Sequence, residues 1–365
     1  MIIISILSFF ILVILGHYFA WHLSLSACPK LKHKKYLLLA IFIALTLIFL
    51  GDFIYLHQND TPIFSYIYVV SAVFFGFLSQ LMLAGTAYYL LVLIAKPFLR
   101  KKEYFKKLKL IIARVFLALA MLLFILGSYN AFYPQVKDIT LNNWPAELKG
   151  KSVVQLSDLH LGAIYRPAFL QRIVNQVNAL NPNMVIISGD LFDGSDEHLS
   201  EFIQPLSELT VPTIFVAGNH DSYVPEGEVA NTVEVAGLIS LNDSAIVIDD
   251  LQIIGFKYSG REDSDQRREI TNLGQAESLA KIVVNHVPVD QAEAKALGAD
   301  LMLSGHAHRG QIFPFSLIIN FIYGRFAYGL EDYEGMTVYT SAGTGTWGPP
   351  LRTLLPGEIV KFNFE

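Results

Sequence analysis

Five short apolar runs in the second half of the chain each lead directly into a small polar cluster. The runs cover residues 153–156, 184–187, 213–216, 282–284 and 301–303. Apolar runs of this length, bounded by Gly, Asp and Asn, are typical of buried strands. The clusters that follow them are Asp158-Leu159-His160, Gly189-Asp190, Gly218-Asn219-His220-Asp221, Asn285-His286 and Gly305-His306-Ala307-His308. Because open α/β sheets bind ligands at the carboxyl ends of their strands, the clusters predict one site at such an edge.

The polar clusters contain carboxylate, imidazole and amide donors and no thiolate. These donors are Asp158, His160, Asp190, Asn219, His286, His306 and His308. A mixed oxygen and nitrogen set suits Mn, Fe or Zn rather than a structural zinc ion. Seven donors are too many for one four-coordinate ion, but they suit two ions roughly 4 Å apart that clamp a phosphoryl group in transfer. In the Asp-x-His and His-x-His pairs we expect an extended backbone, on which alternate side chains point the same way.

The segments between the apolar runs carry helix patterns, so strands and helices alternate through this half of the chain. Helices are predicted over residues 166–180, 197–209 and 289–297, and a hairpin over 246–248 and 252–256. Alternation of this kind favours an α/β fold.

Residues from about 150 to 365 resemble the calcineurin-like metallophosphoesterases, whose pattern D-x-H, GD-x-x-D, GNH-[DE], H and GH-x-H is complete here. The resemblance implies a four-layer αββα sandwich with two divalent metal ions. It places Asp158, His160, Asp190 and His308 on the first metal, and Asp190, Asn219, His286 and His306 on the second, with Asp190 bridging. It implies that a metal-bridging hydroxide attacks phosphorus without a covalent intermediate. His220 resembles the family's substrate-facing histidine, which donates a proton or stabilises charge, and Asp193 matches the acid that orients it.

The C-terminal part also resembles a subgroup of bacterial membrane-linked phosphoesterases. The resemblance is carried by Gly310-Gln311 and by the stretch from Gly345 to Arg352. Some members of that subgroup act on UDP-diacylglucosamine or other phospholipid-like diesters. Where many of them read His-Gly-Gly-Gln, this chain has Arg309 in the second position. Arg309 and Arg352 are candidates for phosphate contact, and the alternative for each is an ordinary surface arginine.

The first 135 residues differ in composition from the rest. They contain twelve Lys/Arg and three Asp/Glu, whereas the remainder contains fifteen and twenty-nine. A bilayer span needs roughly 20 apolar residues, and four spans are predicted over residues 2–24, 36–56, 63–95 and 110–133. The acidic remainder argues against a nucleic-acid partner, because phosphate-backbone binding depends on Lys and Arg. We therefore expect a membrane domain over 1–135, a linker over 136–150 and a metallophosphoesterase domain over 151–365.

The basic residues of the loops predict the orientation of the spans. The first loop has four lysines and the third has seven Lys/Arg, whereas the second has none. Since basic loops stay in the cytoplasm, we expect the N-terminus and the catalytic domain to lie outside it. The stretch Leu25-Ser26-Ala27-Cys28 also resembles a lipobox, with an ordinary cysteine as the alternative, because no basic n-region precedes it. His17 and His22 are expected near a membrane interface, with a functional intramembrane role as the alternative.

An apolar segment, Ile312 to Tyr323, follows the last polar cluster. Nine of its twelve residues are apolar and none is charged. One interpretation is a core strand or helix. The other is a surface that contacts the outer leaflet or lines an acyl-chain groove, with Phe315 and Phe321 in contact with substrate.

Together these patterns predict a membrane-anchored phosphoesterase with two divalent metals and a phosphorylated substrate, a diester or a monoester, that is lipid-linked or part of the envelope. The lipid bilayer is its expected partner. The alternative is an inactive membrane sensor or scaffold built on the same fold. A transporter is disfavoured, because the apolar spans contain no paired charges and no evident helix breaks.

Overall fold

The computed structural model describes residues 2–56, 62–98, 102–142, 144–194, 198–258, 279–353 and 355–365. Nine helices are described: α1 (Ile2–Ala27), α2 (Lys35–Leu56), α3 (Pro62–Ala95), α4 (Lys102–Phe132), α5 (Pro167–Leu180), α6 (Leu199–Ile203), α7 (Glu226–Val235), α8 (Gln291–Ala296) and α9 (Phe315–Tyr323). Twelve strands are described: β1 (Gln135–Leu141), β2 (Ser152–Leu156), β3 (Met184–Ser188), β4 (Thr213–Val216), β5 (Ile239–Ser240), β6 (Ser244–Ile248), β7 (Leu251–Phe256), β8 (Ala280–Asn285), β9 (Leu301–Ser304), β10 (Gly329–Tyr333), β11 (Met336–Thr340) and β12 (Glu358–Phe364).

The chain divides into two compact units. The helical unit comprises Met1–Tyr55, Pro62–Tyr129 and the short segment Gly348–Thr353. The sandwich unit consists mainly of Asn130–Trp347 and the C-terminal strand β12. The segment Gly348–Thr353 belongs to the helical unit because its residues pack there: the backbone N–H of Arg352 donates to the Gly127 carbonyl at 2.9 Å.

Three helices of the described chain are long and apolar enough to cross a membrane. They cover Pro29–Asp52, Pro62–Ala95 and Glu103–Phe132, and they correspond to the second, third and fourth predicted spans. The first predicted span, over residues 2–24, forms α1, but the described side chains of α1 begin at Val13. A fourth span therefore stays a prediction. The second loop, residues 57–61, lies outside the described residues, and so do residues 99–101 of the third loop.

The two histidines of α1 have different surroundings. His17 is buried and its Nε2 lies 3.0 Å from the hydroxyl of Thr46 on α2, so it links two helices. The ring of His22 is stacked on the ring of Tyr18 at a centroid distance of 6.0 Å. Cys28, the cysteine of the lipobox-like stretch, is exposed after the end of α1. These contacts give His17 a structural role between helices.

The sandwich unit is built on two mixed six-stranded sheets. The first sheet has the strand order β1-β12-β2-β3-β4-β5, and the second has the order β10-β11-β9-β8-β7-β6. Strands β2, β3, β4 and β5 are parallel, and so are β7, β8, β9 and β11. The parallel strands are apolar on both faces, as expected for strands covered on both sides.

The core lies in three layers that the alternation of strand residues creates. The central layer lies between the two sheets. It contains residues such as Ile186 and Val216 of the first sheet and Ile282 and Leu303 of the second sheet. Helices α5, α6 and α7 cover the outer face of the first sheet. Helix α8 covers the outer face of the second sheet through Ala294. The layer order is helix, sheet, sheet, helix, in agreement with the fold that the resemblance implied.

The segment expected as a linker is different in the structure. Residues 136–150 contain most of β1, which pairs in parallel with β12 from Gln135↔Glu358 to Leu141↔Phe364. Only the inner end of β1 is buried, at Ile139 and Leu141. Such a half-exposed edge strand gives a weak sequence signal, and its partner lies more than 200 residues away. The sandwich therefore begins directly after α4.

The other predicted elements are found with shifted boundaries. The helices over 166–180 and 289–297 become α5 and the shorter α8. The described part of the helix predicted over 197–209 is α6 followed by a 3-10 helix at Gln204–Glu208, where Pro205 removes a backbone donor. The predicted hairpin is confirmed as the antiparallel pair β6 and β7.

Candidate metal centre

All five polar clusters lie at the carboxyl ends of parallel strands, as predicted. Asp158 and His160 follow β2, Asp190 follows β3, and Asn219 with His220 follows β4 in the first sheet. His286 follows β8, and His306 with His308 follows β9 in the second sheet. Because the two sheets face each other, their strand ends bring residues that are up to 150 positions apart in sequence to one place. The site is therefore a product of the sheet topology.

The backbone at these strand ends is not extended, contrary to our expectation for the Asp-x-His and His-x-His pairs. Asp158, His160, His306 and His308 have φ values of 53°, 47°, 66° and 45°. Asp190 shares this left-handed conformation, with φ 52°. A left-handed residue turns the chain sharply, so alternate side chains are brought to one side by turns and not by the pleat. Non-glycine residues in this region are strained, and such strain clusters at functional sites.

The first group of donors consists of Asp158, His160 and His308. The Nε2 atoms of His160 and His308 lie 3.1 Å apart. His308 Nε2 also lies 3.3 Å from Asp158 Oδ1. Asp158 itself is held by the hydroxyl of Ser157 at 2.6 Å and by the backbone N–H of His306 at 3.0 Å. One donor atom from each residue of the group thus faces a common point.

The second group consists of Asn219, His286 and His306 together with Asp190. His286 Nε2 lies 3.1 Å from Asn219 Oδ1 and 3.1 Å from Asp190 Oδ2. His306 Nδ1 lies 2.7 Å from Asn219 Oδ1. The amide oxygen of Asn219 therefore faces two imidazole nitrogens, in an arrangement suited to a shared cation.

Asp190 lies between the two groups. Its Oδ2 is 3.1 Å from His286 Nε2 in the second group and 3.8 Å from His160 Nε2 in the first. Its Oδ1 accepts the backbone N–H of His220 at 2.8 Å. Burial alone would raise the pKa of Asp190, but the nearby His286 and His160 outweigh it and hold this pKa well below the usual range. Asp190 is thus ionised and placed to serve both groups.

The hydrogen bonds behind the two groups show that the donors fit metal ions. His286 Nδ1 donates to the Ser188 carbonyl at 2.8 Å, and its Nε2 faces the oxygens of Asn219 and Asp190. His160 Nδ1 faces the carboxylate of Asp193 at 3.2 Å, and its Nε2 faces His308 Nε2 at 3.1 Å. Imidazole nitrogens gathered with carboxylate and amide oxygens suit a divalent cation, and second-shell hydrogen bonds of this kind orient metal-binding histidines. The residues present therefore fit divalent metals at both groups.

A close packing contact at Gly189 keeps His286 in place. Gly189 has a φ of 97°, and a Cβ atom added there would overlap the imidazole of His286. The glycine before Asp190 therefore does more than allow a turn, because it makes room for a ligand of the second group.

His220 lies at the edge of the first group. The residue is 6% exposed, and its Nδ1 is 3.4 Å from the backbone carbonyl of Asp193 and 3.8 Å from the carboxylate of Asp193. Burial, followed by the charge of His160, lowers the pKa of His220 to about 4. The carboxylate of Asp193 is closer to His160, at 3.2 Å, than to His220, at 3.8 Å, so in this structure it is placed to orient the ring of His160. The resemblance had assigned it to His220.

Asp221 was given no role from the sequence, although it completes the cluster that begins at Gly218. Its side chain is buried and accepts the backbone N–H of Gly218 at 2.8 Å and of Phe192 at 3.0 Å. Burial, then the charge of Asp190, raises the pKa of Asp221 to about 7. Asp221 ties the loop after β3 to the loop after β4. In the sequence, only its position directly after His220 pointed to a role for Asp221.

The four residues predicted to contact substrate lie in different surroundings. Arg309, with a φ of 52°, is exposed and its guanidinium stacks on the ring of Tyr328 at 4.1 Å. Arg352 is 2% exposed and belongs to the helical unit. Phe315 and Phe321 are both exposed on α9. Their contact with substrate stays a prediction.

Aromatic side chains surround the two groups, and their roles were missed in the sequence. The rings of Trp347 and Tyr223 make edge contacts with His220 at centroid distances of 5.8 Å and 5.2 Å. Tyr323, the last residue of α9, makes an edge contact with His306 at 6.1 Å. In the sequence, Tyr223 lies two residues after the cluster that ends at Asp221, and Trp347 lies within the stretch from Gly345 to Arg352. These positions were the only indication of their roles.

Comparison with known proteins agrees with this site. Residues 151–310 match the family model described as calcineurin-like phosphoesterase. A Helicobacter pylori protein named as a metallophosphoesterase is 29% identical over 97% of this chain and 96% of its own length. A metallophosphoesterase of Campylobacter jejuni is 32% identical over 73% of each chain. A Danio rerio protein named "Transmembrane protein with metallophosphoesterase domain" is 32% identical over 67% of this chain and 60% of its own length. With the donors of both groups in place, the chain belongs to the calcineurin-like phosphoesterases, a family of metal-dependent hydrolases.

Proposed function

We propose that the chain is a membrane-anchored phosphoesterase that hydrolyses a phosphate ester, a diester or a monoester, of a lipid-linked or envelope substrate. The observation that carries the proposal is the convergence of seven oxygen and nitrogen donor side chains, several of whose donor atoms lie only 2.7 Å to 3.1 Å apart. Such a set of buried oxygen and nitrogen donors is suited to divalent cations. A scaffold without catalytic activity would gain nothing from it.

The donors would hold two divalent ions. Asp158, His160 and His308 would bind the first, and Asn219, His286 and His306 the second, with Asp190 shared between them. Oxygen and nitrogen ligands without thiolate suit Mn, Fe or Zn. When bound, such ions supply Lewis acidity and a water nucleophile activated near neutral pH.

The side chains around the ions would orient and neutralise the substrate. His220 would donate a proton to the leaving oxygen, or stabilise the charge that develops on it. The backbone N–H that His220 donates to Asp190 fixes its position relative to the shared carboxylate. Asp193 would set the tautomer of His160 by accepting its Nδ1–H.

The membrane anchor would be the N-terminal helical unit, residues 1–135, with the catalytic domain after it. Three described helices have the length and composition of spans, and the Danio rerio relative is named as a transmembrane protein. Four spans and the basic loops would place the catalytic domain outside the cytoplasm. Phosphate esters of the outer leaflet or the envelope are then the substrates within reach.

The test uses full-length protein purified in detergent, stripped with a chelator and reloaded with Mn, Fe or Zn. Hydrolysis of bis-p-nitrophenyl phosphate and of p-nitrophenyl phosphate would be followed, together with metal content by mass spectrometry. We expect about two metal ions per chain and metal-dependent turnover of at least one substrate. Stoichiometric metal binding with no turnover of either compound, or of a lipid extract, would support the alternative of an inactive sensor or scaffold.

A further inference from the structure

Helix α9 exposes an apolar surface beside the metal centre. Phe321 is 91% exposed, Leu317 61% and Ile322 58%. Phe315 and Ile318 are exposed as well. Soluble surfaces rarely present so many adjacent large apolar side chains, and such patches mark contacts with a partner or a membrane. The core interpretation of this segment is therefore wrong, because no residue of α9 is buried.

The less exposed positions of α9 are Ser316, Ile319 and Tyr323. They recur at spacings of three and four residues, so they form one stripe along the helix. At the start of the helix, Gly310 lies so close to the backbone of Ser316 that a Cβ atom would not fit. At the end, the Tyr323 ring touches His306 of the metal centre. The helix is thus fixed at both ends beside the site, with its apolar face turned away from the domain.

The charges around α9 favour a lipid bilayer as the occupant of this face. No residue from Ile312 to Tyr323 is charged. Two exposed arginines, Arg309 and Arg325, flank the helix at its two ends. An apolar helix face bordered by basic residues is the pattern of helices that lie in the head-group region of anionic membranes. The same chain also contains helices long enough to hold it at a bilayer.

We propose that α9 is an interfacial helix whose Phe, Leu and Ile side chains enter the boundary between head groups and acyl chains. Inserted in this way, it brings the metal centre to the lipid surface and selects phosphate esters carried by membrane lipids. The inference rests on the proposed function for its substrate class, whereas membrane insertion is independent of turnover.

Insertion is tested directly with a fluorescent label. Cys28→Ser removes the single cysteine of the chain, and Phe321→Cys then introduces one labelling site. This variant is labelled with a nitrobenzoxadiazole dye and reconstituted in nanodiscs of phosphatidylcholine and phosphatidylglycerol. The nanodiscs are prepared with and without doxyl-labelled lipid, which quenches the dye. The control carries the label at Val235→Cys, at the end of α7, where the side chain is also strongly exposed. We expect quenching by doxyl lipid at position 321 and none at position 235. Equal quenching at both positions, or none at either, would overturn the proposal. A blue shift that appears without doxyl quenching and depends on protein concentration would instead indicate a second copy of the chain.

Substrate selection is tested with Leu317→Ser combined with Ile322→Ser, and with Val235→Ser combined with Val247→Ser as the matched control. Both pairs remove exposed apolar side chains. We expect the KM for a long-chain phospholipid-like diester in nanodiscs to rise at least about tenfold in the first pair only, because each buried side chain contributes to binding. Hydrolysis of short bis-p-nitrophenyl phosphate should stay unchanged. An equal loss on both substrates would overturn the selection. If the unmodified protein cleaves neither substrate, the proposed function fails, while the quenching result still decides insertion.

Discussion

Gln311 holds Trp347 by two reciprocal hydrogen bonds. The side-chain amide of Gln311 donates to the Trp347 carbonyl at 3.0 Å, and the Trp347 backbone N–H donates to Gln311 Oε1 at 3.0 Å. Gln311 adopts a φ of 40° directly after the last metal-binding cluster. The indole of Trp347 is 44% exposed and faces His220 at its edge. The two bonds therefore join the loop after β9 to an aromatic wall beside the proposed acid.

Gln311→Ala should loosen this wall while leaving the metal ligands untouched. Losing the two hydrogen bonds should lower kcat/KM roughly tenfold, since such a pair contributes about 1–3 kcal/mol. The loss should be larger for substrates with bulky leaving groups, and the metal content should not change. Gln176→Ala, at an exposed position on α5, serves as the control. Loss of metal in the Gln311 variant would show that the glutamine supports the ligands instead.

Asp190→Asn should abolish turnover, because the substitution removes the carboxylate shared by both groups. We expect metal content to fall from about two ions to about one or fewer, with the far-ultraviolet circular dichroism unchanged. Asp138→Asn, at an exposed carboxylate on β1, should keep full activity. Near-normal activity with a full metal load in Asp190→Asn would rule out the shared carboxylate.

His220→Ala should keep both metal ions and lose rate by roughly 10²–10⁴-fold, the range for general acid catalysis. The loss should shrink for p-nitrophenyl esters, since a good leaving group needs little protonation. Comparing a nitrophenyl with an alkyl ester of the same phosphate measures this dependence. A fall in metal content would place His220 among the ligands.

Asp221→Asn should destabilise the sandwich without removing a ligand. Both carboxylate oxygens accept backbone N–H groups. In the Asp221→Asn variant the side-chain NH2 group would replace one of these oxygens and would face a backbone N–H, which is also a donor. An unsatisfied buried donor costs about 1–3 kcal/mol, which chemical denaturation of the metal-free protein would detect. Glu234→Gln, the same carboxylate-to-amide change at an exposed position on α7, should leave stability nearly unchanged. Equal stability of Asp221→Asn and the unmodified protein would remove Asp221 as a link between the loops.

A reporter fused after Glu365 tests the orientation. A fusion to alkaline phosphatase should be active, and a fusion to green fluorescent protein should not fluoresce. The reason is that the basic loops predict a catalytic domain outside the cytoplasm. Activity of the fluorescent fusion alone would reverse the orientation and make cytosolic phosphate esters the available substrates.

The metal centre was the most predictable part of the chain. A buried strand that ends at Gly, Asp or Asn is a local pattern, so five strands with their donors could be located from short segments such as 153–160 or 301–308. The family resemblance then assigned the donors to two metals. In the structure Asp158, His160 and His308 form one group of possible ligands and Asp190, His286 and His306 another, while His160 also lies in a group with Asp193 and His220. The assignment to two metals stays a prediction. The left-handed backbone of Asp158 and His308 was not predictable, because only the tertiary fold makes such strained residues stable.

Features that depend on distant partners escaped prediction. The sequence of β1 has little apolar alternation. It is recognised as a strand only because it pairs with β12. The role of Asp221 depends on the loop after β3, and that of Trp347 on Gln311. The outward face of α9 was left open between two interpretations, because an uncharged apolar run has the same composition in a core and at a membrane surface.

The position of β12 imposes an order on the biosynthesis of the enzyme. It follows every metal ligand in the sequence, yet it lies between β1 and β2, pairing with the first in parallel and with the second in antiparallel register. When all seven candidate ligands of a nascent chain have left the ribosome, its first sheet still lacks the strand between β1 and β2. The first sheet of the nascent domain therefore cannot be completed until the residues of β12 have been synthesised. If the domain is exported in an unfolded state, its first sheet is completed only in the compartment in which β12 pairs with β1 and β2.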